Sequence, residues 1–238
     1  MPDELVILAL TAATIGVVHT LLGPDHYVPF LVLARARGWS LRRTLGMTAL
    51  CGLGHVSGSV LLGIAGIALG WAATSLEWFE SARGELAGWL LLGFGVAYTA
   101  WGVRQAMRAR PHSHWHAHGD GEAHTHTHSH HGEHAHVHAA DAAERPSSAG
   151  WALFIIFVLG PCEPLVPLLM IPASRSSWWG VAAVTAIFAA ATLATMLTVT
   201  WIGYIGLTAV GRGRLERYGH VLAGLALVAC GLALRLGL

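Results

Sequence analysis

The chain carries six apolar stretches of bilayer-crossing length, at residues 5–34, 44–73, 85–107, 149–173, 178–209 and 217–237. A bilayer core takes about 20 apolar residues of helix. No water enters that core, so every backbone polar group must be satisfied within the protein. The fold class this implies is all-α, a polytopic membrane protein with six transmembrane helices. Composition agrees: 54% of residues are hydrophobic and 11% charged, where soluble domains carry about 25% charged. A disordered chain, a coiled coil, a secreted disulfide scaffold and an ordinary soluble enzyme are excluded, and no enzymatic activity is expected. The formal net charge of +1 offers nothing to nucleic acid. The three cysteines, Cys51, Cys162 and Cys230, are far apart in sequence and form no Cys-x-x-Cys pair. The N-terminus, Met-Pro-Asp-Glu, lacks the basic segment of a cleavable signal, so the first stretch is expected to remain as a span.

That first stretch is too long for one straight crossing. Thirty helical residues reach about 45 Å, against about 30 Å of hydrocarbon. It contains Gly23-Pro24 and then Pro29, and proline removes a donor and clashes with the preceding turn. A crossing broken near its middle is expected, with the freed backbone shielded by protein. The fourth stretch repeats the pattern. Leu22-Gly23-Pro24-Asp25-His26-Tyr27-Val28-Pro29 has its counterpart in Leu159-Gly160-Pro161-Cys162-Glu163-Pro164-Leu165-Val166-Pro167, 137 residues later. Both read Leu-Gly-Pro, two potential metal ligands, then a Val-Pro expected as a second kink. The helix breaks are placed at Gly23 and Pro24 and at Pro161 and Pro164. The same offset sets His55 opposite Thr192. Three spans per half is an odd number, so the halves, 1–110 and 149–238, are expected as inverted repeats. Broken helices at matching places in inverted halves point to a transporter's central site.

Eleven of the 14 arginines fall on one side of these spans, with Arg83, Arg175 and Arg235 on the other. The positive-inside bias makes the richer side cytoplasmic and puts both termini outside, in a multi-pass protein of the cytoplasmic (inner) membrane. Trp71, Trp78, Trp89, Trp178 and Trp179 lie near the outer ends of spans, as an aromatic belt would.

Polar residues inside the spans are few and clustered. They are His19, Asp25 and His26 in the first, Cys51 and His55 with Ser57 and Ser59 in the second, Cys162 and Glu163 in the fourth, and Thr192, Thr195 and Thr198 in the fifth. Ionisable groups are expensive in a bilayer and mark function there. His, Asp, Glu and Cys are the donors of a first-row transition metal, whereas Ca²⁺ or Mg²⁺ would take oxygen alone. His19, Asp25, His26, His55, Cys162 and Glu163 are therefore the candidate metal ligands. Cys51 is a weaker candidate, and His220 and Cys230 read as structural. The buried hydroxyls more readily bond helix backbone.

Residues 111–148 form the one long hydrophilic segment, expected as a mobile cytoplasmic loop. It holds His112, His114, His116, His118, His124, His126, His128, His130, His131, His134, His136 and His138. Imidazoles on such a segment offer many exchangeable sites, suited to metal capture, buffering or sensing.

His19-Thr-Leu-Leu-Gly-Pro-Asp25-His26 resembles the first signature of the nickel/cobalt transporter superfamily, and Leu53-Gly54-His55 is similar to its second. The permeases of that superfamily space the first as His-x4-Asp-His. The His-x5-Asp-His found here is closer to the six-span NicO-type and urease-accessory branch, whose layout includes a His-rich loop between the halves. The resemblance covers most of the chain in layout, and its motifs cover residues 19–26 and 53–55. It implies transport, with a preference for efflux, of Ni²⁺ or Co²⁺; Zn²⁺ also suits the donor set. The metal is cargo, and no tightly bound cofactor is expected. The partners implied are the lipid bilayer and the metal ion, with homo-oligomerisation left open. Gly160-Pro-Cys162-Glu163-Pro164 departs from the permease signatures and resembles the Pro-Cys motifs of six-span thiol-electron carriers. The alternatives are therefore a membrane thiol-redox carrier using Cys51 and Cys162, or a non-transporting accessory protein of a metalloenzyme. Deleting residues 112–138 is expected to shift the metal concentration at which vesicle flux saturates and to leave maximal flux intact; a dead transporter would place the essential site in the loop.

Overall fold

A computed structural model describes residues 2–108, 112–117, 123–128, 148–174, 177–209 and 218–236. The first apolar stretch is broken where expected. Helix α1 (Pro2–Leu22) ends at Gly23, which turns to an extended conformation. A single 3-10 turn (Pro24–His26) follows, and α2 (Val28–Arg37) completes the stretch. Pro29 makes no second kink. It lies in the first turn of α2, where a missing N–H costs nothing. Gly38 then takes a left-handed φ of 63°, which closes α2, and the Ser40 side chain accepts from the Arg43 amide to start α3 (Leu41–Ala68).

Helix α4 runs Ala73–Arg108 and so begins well before residue 85, the expected start of the third span. The charged Glu77, Glu80 and Arg83 interrupt the apolar pattern of that first part. The fourth stretch forms α5 (Ser148–Leu159) and α6 (Leu165–Ser174), separated at residues 160–164. Here too the Val-Pro pair, Val166-Pro167, belongs to the first turn of the following helix and is not a kink; Pro172 is the proline inside α6. The remaining helices are α7 (Trp178–Ala209) and α8 (Gly219–Leu236). Among the described residues five helices, α1, α3, α4, α7 and α8, are long and apolar enough to cross a membrane. Their outward faces are rich in exposed apolar side chains, among them Leu10, Leu61, Trp179 and Ile202. In water these would be costly; against lipid they are the expected surface.

Between the helices, β1 (His112–Ala117) pairs antiparallel with β2 (Ala123–His128). The segment read as a loop thus contains a two-stranded ribbon. Strict His-x-His alternation matches the two-residue period of a strand, and the register sets His112 opposite His128, His114 opposite His126 and His116 opposite His124. His118, His130, His131, His134, His136 and His138 lie outside the described residues.

Packing follows the small residues. Gly95 meets Leu227 and Val228, Gly102 meets His220 and Val221, Gly224 meets Thr99, and Gly231 meets Leu92. Rising numbers on α4 meet falling numbers on α8, so the two helices are antiparallel. Their glycines recur every seven residues and let the backbones approach closely. Helix α1 packs along α7, and α3 packs along both α5 and α7. Two apolar clusters result. One gathers Phe30, Leu33, Cys51, Leu153, Phe157 and Met196; the other gathers Ala12, Cys162, Leu165, Leu169, Val184 and Phe188.

A Cβ on Gly231 would lie 2.7 Å from the Leu92 backbone nitrogen, whereas Gly46 faces open space. Gly231→Leu is expected to destabilise the protein by about 1–3 kcal/mol through overpacking. Gly46→Ala is expected to be neutral or stabilising by about 0.5–1 kcal/mol. Thermal unfolding of the detergent-solubilised protein compares them.

Candidate metal centre

The fold brings three of the six expected ligands, His19, His55 and Cys162, together, with the His26 ring beside the two imidazoles. His19 sits in the last turn of α1, His26 ends the 3-10 turn, His55 lies midway along α3, and Cys162 occupies the α5–α6 break. His26 is at the hub of the imidazoles. Its ring centroid is 4.8 Å from that of His19 and 5.1 Å from that of His55, edge-on to both. His19 and His55 are stacked 6.3 Å apart. One ligand atom each from His19, His55 and Cys162 lies within 4.8 Å of the other two. Around a bound transition metal, with bonds of about 2.0–2.3 Å, donor atoms stand roughly 3.5 Å apart. The three groups could hold such an ion after a small closure.

Hydrogen bonding leaves the right atoms open. His26 Nδ1 is 3.1 Å from the Gly23 carbonyl and 3.3 Å from Asp25 Oδ1. Both partners are acceptors, so Nδ1 is the donor, and in the neutral ring Nε2 keeps its lone pair. The Nε2 atoms of His19, His26 and His55 are all buried with no hydrogen-bond partner. An unmet buried polar atom costs about 1–3 kcal/mol. Three on touching rings are hard to explain as packing and easily explained as waiting donors to a cation. Gly23 is required to be small here, because a Cβ would lie 2.5 Å from His26 Nδ1 and 2.9 Å from Asp25 Oδ1.

Asp25 and Glu163 stand further out. Glu163 is exposed and lies outside the group of converging ligand atoms. Both carboxylates line a cavity of about 360 Å³, whose wall also includes His19, His26, Pro161 and Pro164. The two Leu-Gly-Pro breaks, 137 residues apart, thus face one space.

The other candidates fall elsewhere. Cys51 is buried in the cluster around Phe30 and Met196, apart from Cys162, and all three cysteines are free thiols. Thr192 is buried with an unpartnered hydroxyl. His220 accepts or donates a 3.0 Å bond with Tyr98 Oη and packs edge-on against Trp101, the structural role expected.

One part of the centre was missed in the sequence. Glu80, fully buried, pairs with Arg83 one turn later on α4, and its Oε2 accepts from Ser59 Oγ at 2.9 Å and from the Cys162 amide at 3.0 Å. Arg83, counted above only as a charge on the arginine-poor side of the spans, is partly buried on α4 and bonds to α3 and the α5–α6 break. The available signal was an acid and a base three residues apart among apolar neighbours, and a serine one turn beyond His55.

No protein-family model, curated protein or solved structure matches the chain.

Proposed function

We propose that the chain is a six-span transporter of a divalent transition-metal ion in the cytoplasmic membrane, built as two inverted halves. The cargo is Ni²⁺ or Co²⁺, with Zn²⁺ also suited to the donors, and the direction is efflux. The observation that carries this reading is the meeting of both helix breaks at one cavity beside three histidines with open Nε2 atoms and a thiol.

Packing supports inverted halves. Exchanging them turns α1 on α7 into α5 on α3, and α2 on α7 into α6 on α3, and all four contacts occur. The third spans of inverted halves must run oppositely, and α4 and α8 are antiparallel. The sixth span is then the broken pair α5 and α6. Helix α4 also packs along both α5 and α6, and α8 along α2, so each third helix meets the broken span of the other half. Rocking the halves would expose the cavity to each side of the membrane in turn.

The ligand residues divide the work. His19, His55 and Cys162 hold the ion; His26, outside that trio but with its ring against both imidazoles and its Nε2 unpartnered, adds a fourth donor on closure, and Asp25 fixes the His26 ring and offsets positive charge. Glu163, exposed on the cavity wall, attracts the cation. The separation of Cys51 from Cys162 favours a ligand role for Cys162 over a thiol pair.

Flux of Ni²⁺, Co²⁺ and Zn²⁺ into or out of vesicles reconstituted with the purified protein tests the reading. His55→Ala and His26→Ala are each expected to cut flux by more than about tenfold, the scale on which even outer partners of a metal site act. Wild-type vesicles that pass no metal would exclude transport, and unimpaired histidine variants would exclude this site.

A further inference from the structure

The α5–α6 break is built differently from the break in the first span. The backbone bonds around Gly23 stay within residues 19–31: the Gly23 amide donates to the His19 carbonyl, the His26 amide to that of Gly23, and the Tyr27 amide to that of Pro24. Around Gly160 local bonds form as well, from the Gly160 amide to the Phe157 carbonyl and from the Leu165 amide to that of Cys162, but further partners come from two other helices. Arg83 Nη2 donates to the Val158 carbonyl at 2.9 Å and the Gly160 carbonyl at 3.2 Å. These are carbonyls that the end of α5 leaves without helical partners. On the other side of the break, the Cys162 amide donates to Glu80 Oε2 at 3.0 Å and Ser59 Oγ at 3.2 Å. Ser59 in turn donates to Glu80, and Arg83 pairs with Glu80 directly.

Two glycines admit this arrangement. A Cβ on Gly58 would lie 2.6 Å from Arg83 Nη2 and 2.7 Å from the Val158 carbonyl oxygen. A Cβ on Gly84 would lie 2.8 Å from Pro161 Cγ. Helices α3 and α4 therefore press directly against the break. The amide held by two acceptors belongs to Cys162, the residue whose thiol lies with the ligand atoms of His19 and His55.

We propose that Ser59, Glu80 and Arg83 are positioning residues for Cys162: they fix the backbone of the α5–α6 break so that the thiol faces His19 and His55 before any metal arrives. Resting on the metal-site reading above, this makes the second break the rigid wall of the centre and the 3-10 turn with His26 the part that adjusts. The guanidinium fork matters, since only a planar, multiply donating group reaches two carbonyls and a carboxylate at once.

Cobalt(II) is the probe, because a thiolate ligand to Co²⁺ gives a charge-transfer absorption that imidazole does not, and residues 111–148 contain no cysteine. In the full-length protein this absorption is expected for the wild type and absent in Cys162→Ser. Arg83→Lys keeps the charge and loses the fork. It is expected to lose most of the thiolate absorption and weaken Co²⁺ binding about tenfold, the usual scale for outer partners of a metal site. Histidine-only cobalt spectra and the unfolding temperature should persist. Ser59→Ala, a gentler change, should weaken the absorption in the same direction and serves if Arg83→Lys does not fold. Full thiolate absorption in both folded variants would overturn the proposal. A wild type without thiolate absorption would instead count against the metal site. The clamp is then read from the rate at which Cys162 reacts with a small methanethiosulfonate, in a Cys51→Ser, Cys230→Ser background. That rate should rise severalfold in Arg83→Lys if the clamp holds the break, and an unchanged rate would overturn it.

Discussion

A helix broken inside hydrocarbon must find partners for its freed amides and carbonyls within the protein, and the rest of this structure depends on how that is done. The first break closes a 3-10 turn on itself, using Gly23 and Pro24. The second borrows a buried ion pair from α4 and a hydroxyl from α3. In both places the residues that follow the Gly-Pro step are displaced from regular helix. Such side chains can point into a shared space that a continuous helix would have filled with its own turns. The glycines of α3 and α4 have a matching purpose, because only a residue without Cβ lets a neighbouring helix reach the break.

Charge is handled with the same economy. A buried carboxylate is tolerable when it is paired and its oxygens are bonded, and Glu80 pairs with Arg83 while accepting from Ser59 and the Cys162 amide. The opposite holds at the histidines, where three ring nitrogens are left unmet. One polar cluster is complete without a ligand and its neighbour is not. That contrast separates scaffold from site more clearly than burial does. A donor set of imidazoles and one thiol suits a borderline or soft divalent ion and suits hard cations poorly.

Much of this was legible in the residues. Gly-Pro steps inside apolar stretches located both breaks, because proline cannot continue a membrane helix without a shielded gap. The rarity of ionisable residues singled out His19, Asp25, His26, His55 and Cys162. What was not legible depended on pairing across helices. Arg83 fell outside the third span as read from residue 85, since nothing in the sequence tells a bonded guanidinium from a solvated one; the start of α4 was lost with it. Glu163 read as a ligand beside Cys162, but it is exposed and lines the cavity outside the group of converging ligand atoms. The ribbon at 112–128 was overlooked because composition was weighed before the two-residue alternation that its histidines plainly carry.

The central claim is that a metal ion sits between the two breaks on nitrogen and sulfur together. X-ray absorption on the full chain, with the twelve loop histidines changed to asparagine and one equivalent of Zn²⁺ added, tests it most directly. The account predicts one sulfur neighbour at about 2.3 Å beside nitrogen neighbours at about 2.0–2.1 Å. A shell of nitrogen and oxygen without sulfur, or no bound zinc at all, would contradict it.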